Sequence, residues 1–347
     1  MESAHAHRKD EHLSVAELEM RQRPYNSSLN GVRLLHNALP ESRVADVDLT
    51  VHDKNFPFTT PFYIEAMTGG SQKTGRINAK LAEVAKETGL AMAVGSQSVA
   101  LKDTEAIATF TIARDINPDG FMIANIGAGH PVQHAQTVVD MIGANALEVH
   151  VNAAQEIVMA EGDREFMWLD NLADIVAKVA VPVIVKEVGF GMRQETIATL
   201  HAIGVQYVNI GGRSGTNFAR IEDRRNRTDD NQHAYLYDWG QTTAESLLEA
   251  KALTEKPTIF ATGGIQTPLD VVKAQVLGAK AVGVAGHFLH TVMNEDTSGL
   301  ITEVTRWQNH LAKIYALLGV RSQAELLQVP YLLDPELLNY ANQRELH

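Results

Sequence analysis

The chain has 347 residues, 45% of them hydrophobic and 21% charged, with a formal net charge of −12 and no cysteine. This length suits one large domain or two average ones, with core enough to fold without staples. The acidic balance argues against a nucleic-acid partner, and the missing cysteine excludes disulfides, thiolate metal sites and cysteine nucleophiles. No apolar run approaches the roughly 18 residues of a membrane span, and the opening MESAHAHRKDEH lacks a secretory stretch, so the sequence reads as cytoplasmic with no membrane partner.

Residues 1–60 form an N-terminal extension that contains Arg8-Lys9-Asp10-Glu11-His12. Arg8 and Lys9 could grip a diphosphate, or they could belong to a solvated tail. From residue 61 to 347 the pattern is an alternation of short apolar runs and amphipathic stretches. The runs are Pro61–Met67, Leu90–Gly95, Phe121–Asn125, Ala146–Val151, Val181–Val185, Tyr207–Ile210, Thr258–Ala261 and Ala281–Ala285. Between them lie helical patterns such as Gly75–Thr88, Val132–Ile142, Leu169–Lys178, Arg193–Ala202 and Pro268–Leu277. Near-continuous apolar strands alternating with helices predict a parallel sheet with right-handed crossovers. Eight units favour a closed (β/α)8 TIM barrel over an open doubly wound sheet, and the first run ends in Met67-Thr68-Gly69-Gly70 rather than a dinucleotide turn.

Polar residues gather where the runs end, the face on which barrel active sites form. The second run ends in Ser96-Gln97-Ser98 and the third in Asn125, each suited to a ligand oxygen or to capping a helix. In the fourth, alternation puts His150 and Asn152 on one face, ahead of Gln155 and Glu156. Glu156 suits Mg²⁺, which takes one or two carboxylates plus phosphate oxygens. It equally suits dipole stabilisation of a first helical turn. Lys186, just after the fifth run, could form a Schiff base or set positive charge beside a flavin. It could also snorkel to solvent or pair with Glu187. A long connection, 213–240, follows the sixth run and reads as a functional lid or a mobile segment. Gly211-Gly212 and Gly215-Thr216 lie in and beside it, Gly263-Gly264 follow the seventh run, and Ala285-Gly286 end the eighth. Such turns let backbone N–H groups reach a phosphate in the usual phosphate site of the fold. The tail Leu300–His347 reads as helical.

These residues resemble those of type 2 isopentenyl-diphosphate isomerases, the flavin-dependent isomerases of isoprenoid synthesis. The resemblance runs from Arg8 to about Val320 and includes RKDEH at 8–12, MTGG at 67–70, HVNAAQE at 150–156, KEVGFG at 186–191 and TGG at 262–264. It implies FMN held by Met67, Thr68, Ser96, Asn125, Lys186, Ser214, Thr216, Gly263, Gly264, Ala285 and Gly286. It implies a substrate diphosphate held by Arg8, Lys9, Ser96, Gln97 and Ser98, an isoprenyl pocket lined by His150, Asn152 and Gln155, and Mg²⁺ on Glu156. Gln155, His150, Asn152 and Lys186 are the catalytic candidates. The family uses reduced FMN, with NADPH as reductant, and forms homotetramers or homo-octamers. Ser98 and Ser214 depart from its pattern, which often has a basic residue and a glycine there. Two flavin-free or flavin-linked rivals share the barrel, a Lys186 Schiff-base lyase and a 2-hydroxy-acid oxidase. The oxidase chemistry wants a His base and an Arg, and neither follows the seventh run. A third rival is a catalytically inert scaffold.

Overall fold

The eight apolar runs close into one ring of parallel strands in chain order, each hydrogen-bonded to the next and the last to the first. The structure, a computed structural model, describes residues 4–22, 27–226 and 232–346. Helix α1 (Ala4–Gln22) and strand β1 (Val32–Leu34) precede the ring. The ring's first half is β2 (Phe62–Ile64), α2 (Gln72–Thr88), β3 (Met92–Ala93), α3 (Ala108–Ile116), β4 (Met122–Gly127), α4 (Val132–Met141) and β5 (Ala146–Val151). It continues with α5 (Ala153–Val158), α6 (Leu169–Lys178), β6 (Val183–Glu187), α7 (Gln194–Ala202), β7 (Tyr207–Asn209), α8 (Phe218–Arg225) and α9 (Thr243–Ala252). It ends with β8 (Thr258–Ala261), α10 (Pro268–Val276), β9 (Ala281–Val284) and α11 (Gly286–Asn294). Helices α12 (Asp296–Leu318) and α13 (Gln323–Leu326), strand β10 (Tyr331–Leu333) and helix α14 (Pro335–Gln343) follow. This is the (β/α)8 barrel expected from the alternation.

The apolar faces of the helices pack on the outward residues of the strands to make the main core. Inside the ring a second core collects inward residues from the strand starts, including Tyr63, Ile123, Ile184, Tyr207 and Phe260. Val51, Phe56 and Phe58 from the N-terminal extension plug it, with Phe56 against Phe260 at a ring separation of 5.1 Å. The far end is thereby sealed, so ligands can enter only where the strands end.

Two strands match their predicted ranges, Ala146–Val151 and Thr258–Ala261. The others differ at their ends. The first two runs contain only β2 and β3, because the chain turns away from the ladder as it forms the mouth. The third runs on to Gly127, the sixth stops at Asn209, the eighth stops at Val284, and the fifth shifts to Val183–Glu187, placing Lys186 inside a strand. Helix α2 begins at Gln72, three residues early, because Ser71 and Thr74 form a capping box. Two findings correct the sequence reading. The connection 213–240, of which 227–231 lie outside the described residues, contains helix α8, which buries the charged Glu222 and Asp223 beside Ala219 and Ile221. The C-terminal tail is not wholly helical, since β10 pairs antiparallel with β1 and ties the tail to the N-terminal extension.

Candidate active site

At the mouth of the barrel lies a cavity of about 1380 Å³. That exceeds the ~300–1,000 Å³ of an ordinary small-molecule pocket, so a cofactor and a substrate fit side by side. The residues singled out from the sequence lie on its wall with one exception. Gln97 is fully buried and faces away. Its Nε2 donates to the Val138 carbonyl at 3.0 Å, and its Oε1 accepts from the Asn125 N–H at 3.0 Å. It ties a neighbouring helix to β4, so the expectation that it contacts substrate is corrected.

One part of the wall is backbone. Gly263 has φ +103°, and a Cβ there would sit 2.3 Å from the Gly212 carbonyl oxygen. Gly264, with φ +75°, would strike the Ser214 carbonyl at 2.5 Å. Only glycine permits this crossing of the loops after β7 and β8. Beside it α11 starts at Gly286 behind Ala285 with no side-chain cap, so its N-terminal N–H groups face the cavity. Thr216 and Ser214 complete this part, with the Ser214 hydroxyl bonded to Ser28 Oγ at 2.6 Å. The arrangement fits a phosphate.

A second, cationic part is carried by α1, which lies across the mouth. Lys9 Nζ donates to the Ser96 carbonyl at 3.5 Å, and Ser96 and Ser98 are joined through their hydroxyls at 3.1 Å. Arg8 pairs with Glu161 at 3.3 Å. Burial, together with the neighbouring Arg8 and against the pull of Glu222, brings the Lys9 pKa down to about 8. Lys102 and His130, not anticipated from the sequence, line the same cavity.

Between the two parts stand the strand-end side chains. Asn152 Nδ2 donates to Glu156 Oε1 at 2.8 Å and to Gln155 Oε1 at 3.4 Å. Glu156 Oε2 accepts from the Asp163 N–H at 2.7 Å. Gln155 Nε2 donates to Glu222 Oε1 at 2.8 Å, and His12 Nε2 lies 2.9 Å from the same oxygen. Arg225 pairs with the other oxygen of Glu222. Burial would raise the Glu222 pKa, but His12, Arg225 and Gln155 together hold it below the ordinary carboxylate value. Burial drives His150 down to about 3, with Lys186, Lys9 and His130 adding to the effect, so it is neutral at physiological pH. Lys186 pairs with Glu65 at 3.5 Å. Its burial favours the neutral form, but the Glu65 carboxylate, first among the acidic groups around it, outweighs this and holds its pKa above the ordinary value. Glu187 is not its main partner. That carboxylate accepts the N–H groups of Gly189 at 2.7 Å and Gly191 at 3.1 Å and shapes the loop after β6.

The sequence reading missed Glu65, Glu148 and Glu222. The first two were visible as single charges at alternate positions of apolar strands, in YIE and ALEVHV. Nothing local marks Glu222. Among the described residues no cluster of three or more His, Cys, Asp or Glu could hold a metal unaided.

The profile of the FMN-dependent dehydrogenase family matches residues 108–331. Among solved structures, a mandelate oxidase mutant superposes with a TM-score of 0.61 at 14% identity, covering 93% of this chain and 92% of that one. A flavocytochrome b2 mutant superposes with a TM-score of 0.62 at 19% identity, covering 93% of this chain and 78% of that one. At such identities the likeness concerns the fold. Fold, profile and glycine-lined phosphate site define a FMN-dependent β/α barrel.

Sequence relatives narrow the class. The isopentenyl-diphosphate delta-isomerase of Latilactobacillus sakei is 49% identical over 345 residues, covering 99% of this chain and 98% of the relative. That of Limosilactobacillus reuteri is 50% identical over 348 residues, covering 100% and 99%. That of Staphylococcus aureus is 45% identical over 341 residues, covering 98% and 97%. The chain belongs to the isopentenyl-diphosphate delta-isomerase family, in its flavin-dependent type 2 branch, and is an FMN-dependent isomerase.

Proposed function

We propose that the protein interconverts isopentenyl diphosphate and dimethylallyl diphosphate in isoprenoid biosynthesis. The observation that carries this reading is a single cavity with two anion grips. Lys9, near the start of α1, reaches the Ser96 turn, while the Met20 sulfur lies 3.3 Å from the Cβ position of Gly286. Met20 lies eleven positions after Lys9 along the helix, roughly 16 Å at 1.5 Å per residue. One grip suits the FMN phosphate and the other a substrate diphosphate, with α1, and hence the 1–60 extension, contributing to the substrate site.

Moving a double bond by one carbon requires a proton added at one carbon and removed from another. Side-chain acids are poor donors to an unactivated alkene. Reduced FMN, when bound, supplies that acid–base chemistry, and NADPH is the reductant that prepares it. Residues of the chain do the rest. Lys186 would supply a buried positive charge at the flavin site that favours an anionic flavin. Gln155 is held by Glu222, which fixes which face of its amide meets the isoprenyl group and suits it to orient or relay a proton. His150 and Asn152 shape the pocket, with His150 as a neutral hydrogen-bonding group. Glu156 would offer one carboxylate to Mg²⁺, an ion that takes one or two carboxylates alongside phosphate oxygens. Arg8, Lys9 and the Ser96–Ser98 turn hold the diphosphate. A homotetramer or homo-octamer is the expected assembly. Exposed Leu39, Val44 and Leu317, gathered where Ser42 Oγ bonds the Ala316 carbonyl, suit self-association.

Gln155→Glu tests the relay. Beside Glu222 a new carboxylate would be repelled or protonated, so turnover should fall at least about tenfold, with an altered pH–rate profile. A variant with wild-type turnover and an unaltered profile removes Gln155 from the mechanism.

A further inference from the structure

Inside the barrel, at the cavity floor that Glu65 itself lines, two carboxyl groups have unequal support. Glu65 comes from the end of β2 and Glu148 from β5, and both are buried. Glu65 is fully served as an anion. Its Oε1 accepts from the Ala66 N–H at 2.8 Å and faces Lys186 Nζ at 3.5 Å. Its Oε2 accepts from Asn209 Nδ2 at 2.8 Å and the Tyr63 hydroxyl at 3.0 Å. Glu148 has much less. Its Oε2 accepts from Asn125 Nδ2 at 3.0 Å, and among the described residues its Oε1 has only the same Tyr63 hydroxyl as a donor, at 3.5 Å. That hydroxyl has one proton, and Asn209 Nδ2 donates to its oxygen at 3.0 Å, which leaves the proton for Glu65. A buried carboxylate with one donor is costly, whereas a neutral acid there is fully served. Its C=O accepts from Asn125, and its O–H points toward Tyr63 and Glu65.

We propose that Glu148 is a neutral carboxylic acid, so that the Glu65–Glu148 pair carries one proton and one negative charge, and that this pair is a positioning device which matches Lys186 charge for charge at the site that would hold the flavin. The groups facing the pair are Tyr63 on β2, Asn125 on β4, His150 on β5, Lys186 and Glu187 on β6 and Asn209 on β7. Burial, reinforced by the charge of Glu65, raises the Glu148 pKa well above its ordinary value, which agrees with the hydrogen-bond count. Two environments driving paired carboxyls apart are a recurrent way to keep one acid neutral at pH 7. The pair also reaches the substrate pocket. Asn125 gives its amide N–H to Glu148, so its Oδ1 faces His150 Nδ1 at 2.9 Å. A neutral His150 must then carry its proton on Nδ1 and present Nε2 as an acceptor. Losing the Glu148 proton would add an uncompensated negative charge at the flavin site and disfavour an anionic flavin.

Infrared difference spectroscopy of the holoenzyme at pH 8, above the value of about 7 to which burial lifts Glu187, should show a buried protonated-carboxyl C=O band that shifts in D2O. The band should vanish in Glu148→Gln and move, without vanishing, in Glu148→Asp. Glutamine reproduces the acid's pattern of one acceptor and one donor, so the flavin reduction potential of Glu148→Gln should equal that of the wild type. Absence of the band in the wild type, or its persistence in Glu148→Gln, would overturn the proposal, as would an upward shift of potential of the kind caused by removing an anion. The potential depends on the flavin reading, whereas the wild-type band depends on the chain alone and survives a variant that fails to fold. Failure of the inference is thereby separable from failure of the functional reading.

Discussion

Lys9 is the residue whose chemistry is most exposed to pH. Burial and the adjacent Arg8 bring its pKa down to about 8, with Glu222 pulling the other way. Below that value the ammonium is present and can pair with a diphosphate, and above it the charge is lost. The kcat/KM for isopentenyl diphosphate should therefore fall as pH rises through about 8, and Lys9→Arg should move this limb to higher pH because guanidinium does not titrate there. A pH–rate profile measures both, and a limb unchanged in Lys9→Arg would assign it elsewhere. His150, neutral above about pH 3, contributes no limb of its own. Residues such as Lys186, Glu156 and the Gly263-Gly264 pair were legible in the sequence because strand ends select them by position. Glu65, Glu148 and Asn209 were not recognised, because a single polar residue inside an apolar strand looks like an edge until the ring closes and turns it inward. Gln97 shows the opposite error, since it stands at a strand end but turns to bond Val138 and Asn125.

At the scale of elements, α1 is the part least explained by hydrophobic burial. Among its described side chains only Leu13 and Glu17 are buried, and its seat on the mouth is mostly polar. It is held through His12–Glu222 at 2.9 Å, Arg224–Glu19 at 2.6 Å, Arg225–Glu11 at 3.5 Å and His290–Glu17 at 3.0 Å. The first contact is shielded, but the others are reached by solvent and should weaken as the Debye length shrinks from about 10 Å at 0.1 M to about 3 Å at 1 M salt. Hydrogen exchange in 4–22 should therefore accelerate with salt while α12, packed through Leu300, Val304, Trp307 and Leu311, does not respond. Equal responses in the two helices would mean that α1 is held by its apolar contacts after all. The same polarity explains why the sequence did not reveal this seat. Helices α1 and α8 meet largely through charges, and α8 buries two carboxylates beside Ala219 and Ile221, so each reads alone as tail or loop. The five barrel helices read from the sequence, α2, α4, α6, α7 and α10, pack one apolar face on the strands and were placed to within a few residues.

For the whole molecule, chain order and ring closure follow from the alternation of apolar runs with amphipathic stretches. The plug at the opposite end does not, because Val51, Phe56 and Phe58 are spaced irregularly among polar residues. Sealed below and roofed by α1, the barrel holds the large cavity at its mouth, and the proposed reaction there shifts a proton without net oxidation. The most direct measurement follows dimethylallyl diphosphate formation from isopentenyl diphosphate under anaerobic conditions, with NADPH consumption recorded in the same vessel. The account predicts many turnovers for each reducing equivalent supplied, deuterium entering the product in D2O, and no product when FMN is left unreduced. Stoichiometric consumption of NADPH with product, or full turnover without FMN, would contradict it.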